Sequence, residues 1–242
     1  MQIPILCMTC SHDQEAPSFE SHQAVLRNDG LYYLECPRGH KTVSCLQEQK
    51  FEVLFDVGVN ALIDCYYREA ISSFATSLER FHEFCIAVIC NNKKVSQEVF
   101  SKAWKNVANQ SERQFGAYIF VYMTQFGEMP PLLKNKSVDF RNAVIHKGKI
   151  PSYEEAVNFG EEVLTLVHPV LRRLKTNLSE SIGLIVMQHV KNTREKIKGD
   201  RKVQFLGIPT TISVALAQTE ADATFEQAIQ RYKTQRERRH SK

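Results

Sequence analysis

The sequence predicts a mainly α-helical fold, an antiparallel helical bundle that follows a small separate module at the N-terminus. Three observations predict it. Residues 49–198 repeat apolar side chains at helical spacing, with short connections between the repeats. Residues 1–48 contain two close pairs of cysteine and histidine residues. Residues 200–218 leave the helical period, and a basic stretch collects at the end of the residues that follow.

The composition is that of a globular protein. The 242 residues include 43% hydrophobic side chains, enough for a sizeable core, and the net charge of +4 permits a nucleic-acid partner without requiring one. No apolar run approaches the roughly 18–20 residues that a membrane span needs. The first residues lack both a basic leader and a long apolar segment. We therefore expect a cytoplasmic protein with no membrane partner.

The N-terminal module, residues 1–48, has the residue types and spacing of a zinc site. The candidate ligands are Cys7, Cys10, Cys36 and His40, in the pattern C-x2-C-x25-C-x3-H. Thiolate and imidazole ligands in two close pairs suit tetrahedral zinc, and four protein ligands leave no position for a catalytic water. This pattern predicts a structural zinc and resembles a zinc ribbon. Cys45 is an alternative fourth ligand, and a disordered arm with free thiols is the alternative to a metal site.

The second ligand pair is predicted to lie on a turn that follows a strand. Residues 32–34 form the strand, and the preceding Asn28-Asp29-Gly30 sequence is typical of a hairpin turn. Gly39, between the two ligands of the pair, tolerates the positive φ that folds a short loop around a metal.

Residues 49–198 are predicted to form six helices. They cover residues 51–91 with a break expected near 66–67, then 96–108, 111–127, 132–147, 152–171 and 179–198. A capping box of Ser152 and Glu155 begins the fifth helix, and Gly148 ends the fourth. Cys65, Cys85 and Cys90 are expected to be small core side chains.

The C-terminal extension, residues 199–242, is predicted to contain a loop or strand segment over 200–218 and a helix over 220–239. Basic residues collect at the end of this helix. They offer a phosphate-binding surface, with a solvated tail as the alternative interpretation.

The stretch from Asp139 to Gly148 contains the motif that points to a reaction. Arg141, Asn142 and His146 lie on one predicted helix, which a glycine and a capped helix follow. Together with the helix near residues 66–81, this pattern resembles the HEPN superfamily, whose mark is R-x4–6-H with a polar residue often after the arginine. The resemblance covers residues 51–175. It implies an HEPN-type bundle, an RNA substrate and a homodimer that pairs two motifs across a two-fold interface.

The implied chemistry is RNA cleavage without a catalytic metal. Arg141 can hold the scissile phosphate with its fork of donors, and His146 can exchange protons with the ribose 2′-OH or the 5′-oxygen. Asn142 would orient His146 or the phosphate. Residues five apart on an ideal helix point about 140° apart, so Arg141 and His146 do not share a face. They converge if the helix unwinds near His146 or if a second subunit supplies the partner residue.

Charged neighbours of the motif are candidates for supporting roles. Lys147 and Lys149 can guide the RNA backbone, with simple solvation as the alternative. Glu79 and Glu83, on another helix, are candidates for holding Arg141, although ordinary surface carboxylates would look the same in sequence.

The sequence therefore predicts a metal-independent endoribonuclease, with a toxin or defence effector as the expected role and an antitoxin or regulatory protein as a further partner. The alternative is a non-catalytic HEPN module that binds RNA, a nucleotide or a protein partner. A zinc hydrolase is disfavoured because the predicted metal site is closed.

Overall fold

The computed structural model of the chain describes residues 1–215 and 224–240, with side chains to residue 237. The prediction of a mainly helical protein is confirmed, and small sheets accompany the helices. The helices are α1 Met8–Ser11, α2 Lys50–Ile63, α3 Tyr67–Asn92, α4 Gln97–Val107, α5 Ser111–Phe126, α6 Asn135–His146, α7 Tyr153–Arg194 and α8 Phe225–His240. The strands are β1 Gln2–Leu6, β2 Ser21–Val25, β3 Leu31–Glu35, β4 Lys41–Leu46 and β5 Lys202–Leu206.

The chain forms two compact units. The N-terminal unit contains Met1–Glu48 and Val186–Pro209. The helical unit contains Gln49–Ile185 and the described residues from Thr210 onward. The division after Glu48 coincides with the predicted end of the N-terminal module. The predicted boundary after residue 198 does not coincide with a division, because the C-terminal extension contributes to both units.

Two small sheets build the N-terminal unit. β1 pairs with β2 in one sheet, and β3 pairs with β4 in the other, both antiparallel. The predicted turn forms, since the Gly30 N–H donates to the Arg27 carbonyl, but it does not make a hairpin. It carries the chain from one sheet to the other because the hairpin partner of β3 is β4, across the turn that holds Cys36 and His40.

The extended segment after residue 200 completes the second sheet. β5 lies parallel to β4, and this pairing satisfies backbone groups that an edge strand would leave open. Gln204 of β5 donates to the Leu6 carbonyl at 2.7 Å and to the Ser44 hydroxyl at 2.7 Å. This side chain therefore links β5 to the end of β1 and to β4, which explains why a segment so distant in sequence belongs to the N-terminal unit.

The predicted helices of the helical unit form with small changes of bounds. The expected break near 66–67 occurs at residues 64–66, between α2 and α3, where Cys65 has a φ of 63°. Cys65 is exposed at this break, so its prediction as a core residue is wrong. Cys85 is fully buried and Cys90 is half-buried. A non-helical residue, Leu178, interrupts α7 immediately before the position where a sixth helix is predicted to start.

An aromatic cluster joins α2, α3 and α8. The ring centroids of Phe55 and Phe74 lie 5.0 Å apart, and Phe225 lies 5.9 Å and 5.6 Å from them. Gly58 and Gly160 permit this packing, because a Cβ atom at either position would collide with the Phe74 ring. Helix α8 is thereby part of the core of the helical unit.

Ion pairs also fix α8, and they change the interpretation of its basic residues. Arg231 donates to Thr211 at 3.0 Å and lies 3.6 Å from the Asp56 carboxylate, while Arg236 pairs with Asp64. Burial raises the pKa of Asp56, which hydrogen bonds from Thr211 and the Arg231 charge partly offset. These two arginines therefore have structural partners rather than free guanidinium groups for phosphate.

No helix in the described parts of the chain has the length and apolar content to cross a membrane.

Candidate functional site

Helix α6 carries the predicted motif, and both of its ends are fixed. At its start, the Ser137 hydroxyl donates to Glu162 of α7 at 2.5 Å, and the Lys134 N–H donates to the same carboxylate at 3.3 Å. At its end, Gly148 has a φ of 73° and turns the chain back, so that the Lys149 N–H donates to the Ala143 carbonyl at 3.0 Å. The motif therefore lies on a short helix that its neighbours hold in place.

Arg141, Asn142 and His146 all line one cavity of the helical unit. Its volume is about 650 Å³, within the range of 300–1,000 Å³ that is usual for small-molecule sites. Side chains from α3, α5, α6 and α7 surround it. The three predicted catalytic residues thus share a concave surface, although the helical period points them in different directions.

A carboxylate of α3 faces the arginine of the motif. The Glu79 carboxylate lies 3.8 Å from the Arg141 guanidinium, and the two side chains are 32% and 24% exposed. Partial burial of both groups makes this pair less screened than a surface ion pair. Glu79 therefore has the contact expected of a residue that positions Arg141. Glu83 does not, because it pairs with Arg80 at 2.6 Å.

The histidine of the motif is exposed at the last position of α6. The helix continues to His146, so unwinding before this residue does not bring it towards Arg141. Within the described residues, no hydrogen bond joins His146 to Asn142 or to Arg141. The chain alone therefore gathers the three side chains around a cavity without linking them into a proton relay.

The two lysines predicted to bind RNA have different surroundings. Lys149 pairs with Glu155 at 2.6 Å, its ammonium lies 4.7 Å from the centre of the Phe140 ring, and its charge helps to lower the pKa of Glu155. Lys147 lines the cavity, and it forms no ion pair with a described residue. Arg68 lies nearby, since it donates to the Ile145 carbonyl at 3.5 Å. Of the two lysines, only Lys147 therefore lacks a carboxylate partner among the described residues.

Sequence reasoning missed one further residue of this cavity, His82. This histidine of α3 is only 8% exposed and lines the cavity wall. Its ring stacks on Tyr118 with centroids 4.2 Å apart. Burial, and to a smaller degree the Arg80 charge, lowers the pKa of His82 to about 3. His82 falls on the apolar stripe of α3, three residues after Glu79, and this pattern is the only signal that points to it.

The predicted metal ligands converge in the N-terminal unit. The candidate ligand atoms of Cys7, Cys10, Cys36 and His40 all lie within 4.8 Å of one another. The Sγ atoms of Cys10 and Cys36 are 3.6 Å apart, and the His40 Nδ1 atom lies 3.2–3.8 Å from the three sulfur atoms. A tetrahedral site with zinc–ligand bonds of about 2.3 Å to sulfur and about 2.1 Å to nitrogen separates its ligands by roughly 3.6–3.8 Å. The cluster is therefore compatible with a structural metal site.

Short turns bring these ligands together. Gly39, with a φ of 78°, donates its N–H to the Cys36 carbonyl at 2.8 Å. Arg38 between them donates to Asp13 and to the Ala16 carbonyl, which ties this turn to the loop after α1. Cys45 is not a ligand of the cluster, because it is buried in β4 beside Leu31 and Val43.

The thiols of the cluster differ in acidity. Burial opposes ionisation of Cys36, but hydrogen bonds from the N–H groups of His40 and Arg38, together with those from the Cys10 and Cys7 thiols, outweigh it and lower the pKa of Cys36 to about 6. Burial and the neighbouring thiols raise the pKa of Cys10 to about 12. A bound dication would supply the positive charge that lets all three cysteines ionise together.

Comparison of the chain with protein-family models, with curated proteins and with solved structures found no match. The function of the chain is therefore inferred from the two clusters of side chains described above.

Proposed function

We propose that the chain is a metal-independent endoribonuclease of the HEPN type. The observation that carries this proposal is the shared cavity, which Arg141, Asn142 and His146 all line. A guanidinium, an amide and an exposed imidazole around a cavity of this size are the groups that phosphodiester cleavage by the ribose 2′-OH requires.

The proposed reaction balances without a metal ion. The 2′-oxygen attacks phosphorus while a neutral His146 accepts its proton, and the bond from phosphorus to the 5′-oxygen breaks. A protonated His146 of a second copy donates a proton to the leaving 5′-oxygen. Arg141 stabilises the charge on the equatorial phosphate oxygens, held for this role by Glu79. The products are a 2′,3′-cyclic phosphate and a 5′-hydroxyl, and DNA is not a substrate because it lacks the 2′-OH.

A homodimer is part of this proposal. One chain supplies one His146, yet the reaction needs both a proton acceptor and a proton donor. A two-fold axis near α6 would bring two copies of the motif together. Sedimentation equilibrium should therefore give twice the monomer mass. An excess of His146→Ala chains should also inhibit the wild type, because a heterodimer holds only one His146 and the reaction needs two. A monomer that cleaves RNA would contradict this part of the proposal.

The decisive experiment is cleavage of a fluorescent single-stranded RNA by the purified full chain in brief contact with EDTA. Arg141→Ala and His146→Ala should each lower the rate by about 100-fold or more. Arg113→Ala on α5 and His12→Ala in the N-terminal unit are matched controls that should cleave like the wild type, because both side chains are exposed. Equal cleavage by all five proteins would identify a contaminating nuclease and reject the proposal.

A non-catalytic RNA- or nucleotide-binding module is the second candidate. It is favoured by one observation, the absence of any hydrogen bond from a described residue that would orient His146. A protein of this kind would bind the RNA with micromolar or better affinity, leave it intact, and lose binding in Arg141→Ala but not in His146→Ala.

The metal of the N-terminal unit is proposed to be zinc, held by Cys7, Cys10, Cys36 and His40. Three sulfur ligands and one imidazole in tetrahedral spacing are the donor set that zinc prefers, and a closed set of four gives it a structural role. Elemental analysis of the purified chain should find one zinc per molecule.

We also propose that the activity serves as a toxin or defence effector held in check by an antitoxin or another regulatory protein. An RNase of this kind would harm the cell that makes it. Expression of the wild type should therefore arrest growth, and His146→Ala should relieve the arrest. Equal toxicity of both proteins would reject this role.

A further inference from the structure

A buried histidine without a hydrogen-bond partner lies in the wall of the cavity. His82 is 8% exposed, and its closest described contact is the parallel face of Tyr118, which offers no hydrogen bond. No residue in the described parts of the chain donates to or accepts from its ring nitrogens. These nitrogens are not among the fully enclosed unpartnered atoms of the described residues, so they open towards the cavity that His82 lines. A ligand of the cavity can therefore exchange hydrogen bonds with His82.

The charge of His82 restricts what that ligand can be. Because burial keeps the ring neutral, one of its nitrogens donates a hydrogen bond and the other accepts one. A neutral imidazole has no preference for an anion, so it is poorly suited to a phosphate. It suits an uncharged group that presents donors and acceptors along one edge. The phosphate of the same ligand has a better partner in Arg141, on the wall of the same cavity.

The rest of the cavity wall suits a flat, weakly polar group. Its larger apolar side chains are Leu78, Phe115, Leu132, Leu133, Val138 and Leu166. Phe115 is 38% exposed and its ring centroid lies 5.5 Å from that of His82, so part of an aromatic ring is open beside His82. Stacking on an aromatic side chain combined with hydrogen bonds along an edge is how proteins hold nucleobases.

We propose that this cavity binds a nucleobase next to the phosphate that Arg141 holds, with His82 hydrogen-bonding to the edge of the base and Phe115 stacking on its face. This inference rests on the proposed function in one respect, namely that the base belongs to the RNA substrate. The proposed cleavage step involves only the ribose and the phosphate of the RNA, and this site would add recognition of the base. His82 is in this view a specificity-determining residue, not a catalytic one.

The test is a calorimetric titration of the full chain with five probes that cannot be cleaved. They are the 3′-monophosphates of adenosine, guanosine, cytidine and uridine, and ribose 5-phosphate, which has no base. At least one nucleotide should bind about tenfold more tightly than ribose 5-phosphate, as one or two hydrogen bonds and a stacking contact would provide. His82→Phe keeps the ring but removes its nitrogens, and it should abolish this advantage of the nucleotide without changing the binding of ribose 5-phosphate.

Two further variants make the test independent of the folding of His82→Phe. Leu132→Trp, at a half-buried position of the wall, should fill the cavity and abolish the binding of the nucleotide. Lys102→Ala, at an exposed position of α4, should bind like the wild type. Equal binding of all five probes would overturn the proposal, and so would unchanged binding of the nucleotide to a folded His82→Phe or Leu132→Trp chain.

Cleavage assays separate this proposal from the nuclease itself. If RNA is cleaved through His146 but the five probes bind equally, the base site is rejected and the nuclease stands. If a nucleotide binds through His82 but RNA stays intact, the base site stands and the nuclease is rejected.

Discussion

The two candidate sites of this protein are assembled in opposite ways. In the N-terminal unit, four ligand atoms lie within 4.8 Å of one another, and the three cysteines are buried. In the helical unit, Arg141, Asn142 and His146 line one cavity, but His146 is exposed and no described residue links it to the other two. The ligand atoms of the first site come together within one chain, whereas in the described residues His146 shares a cavity with Arg141 and Asn142 without a hydrogen bond to either.

The difference follows from the elements that carry the residues. Cys7 and Cys10 lie at the start of the short helix α1 and within it, and Cys36 and His40 lie on the turn between β3 and β4. In each pair, two or three residues separate the ligands. The motif of α6 lies on one straight helix, whose period of 3.6 residues turns Arg141 and His146 apart. Two short segments therefore bring the four ligand atoms together, whereas the helix of the motif does not turn Arg141 and His146 to the same face.

The largest effect that we predict is the loss of the metal. Cys36→Ser should release zinc and unfold the N-terminal unit, because structural zinc contributes on the order of 10 kcal/mol to the folding of small zinc-binding modules. Metal analysis and the amide NMR signals of β1–β4 should report both losses. Cys65→Ser is the matched control, since this cysteine is exposed and lies outside the cluster. A Cys36→Ser chain that keeps one zinc and its β-sheet signals would show that the cluster is not a metal site.

The second prediction concerns the pH dependence of stability. It tests whether water is excluded from the His82 ring, as the burial of this residue indicates. The pKa of His82 is lowered to about 3 in the folded chain and should be about 6.5 when unfolded. Between these values the unfolded chain binds a proton that the folded chain does not. The contribution of neutral His82 to the free energy of unfolding is therefore fully present above pH 6.5 and is lost as the pH falls towards 3.

Between pH 8 and pH 5, the free energy of unfolding of the wild type should fall by about 2 kcal/mol more than that of His82→Phe. Urea unfolding followed by fluorescence of Trp104, the single tryptophan, reports the helical unit without the metal cluster. The carboxylates titrate alike in both proteins, so the difference isolates His82. Parallel pH curves for the two proteins would mean that water or a polar group reaches the ring.

The sequence predicted the local parts of both sites well. The spacing of Cys7, Cys10, Cys36 and His40 identified the cluster, because the close pairs lie on turns whose geometry is a local property. Capping and glycine signals likewise indicated the ends of α6 and the start of α7, where Ser152 and Glu155 exchange hydrogen bonds. The resemblance to HEPN proteins stays a prediction for both the bundle and its chemistry.

The remaining features could not be predicted, because they depend on contacts between segments that lie far apart in sequence. Nothing in the sequence near β5 specifies β4 as its partner, because the two strands lie about 160 residues apart along the chain. The Gln204–Ser44 contact spans this separation. The Asn28-Asp29-Gly30 turn predicted a hairpin because turn chemistry is local, whereas the choice of the next strand partner is not. His82 was missed for a related reason. A histidine on an apolar stripe has the same sequence pattern whether it fills a core or lines a cavity.

The third prediction tests whether Glu79 positions Arg141 in the cavity of the helical unit. Glu79→Gln should lower kcat for RNA cleavage about tenfold, equivalent to about 1.4 kcal/mol, because Arg141 loses the carboxylate that positions it. Glu83→Gln is the matched control and should keep kcat, since Glu83 faces Arg80 instead. In an Arg141→Ala background, Glu79→Gln should have no further effect. Additive losses in the double variant would mean that Glu79 acts on something other than Arg141.

The smallest predicted effect separates the two lysines that follow the motif. Lys147 lines the cavity without a carboxylate partner among the described residues, while Lys149 pairs with Glu155 at 2.6 Å. Each free cation that contacts single-stranded RNA contributes about 0.7 to the slope of log affinity against log salt. Lys147→Ala should therefore reduce that slope by about 0.7, and Lys149→Ala should leave it unchanged because Glu155 already neutralises this charge.

Binding of a fluorescent RNA to His146→Ala chains, titrated at several salt concentrations, measures these slopes without cleavage. An equal reduction in both lysine variants would mean that RNA displaces Glu155 from Lys149. The surface beside α6 would then rearrange on binding, and its ion pairs would be part of the recognition of RNA. No reduction in either variant would place the RNA backbone away from the end of α6. The cavity would in that case receive its ligand from the side of α3 and α5, where His82 and Phe115 lie.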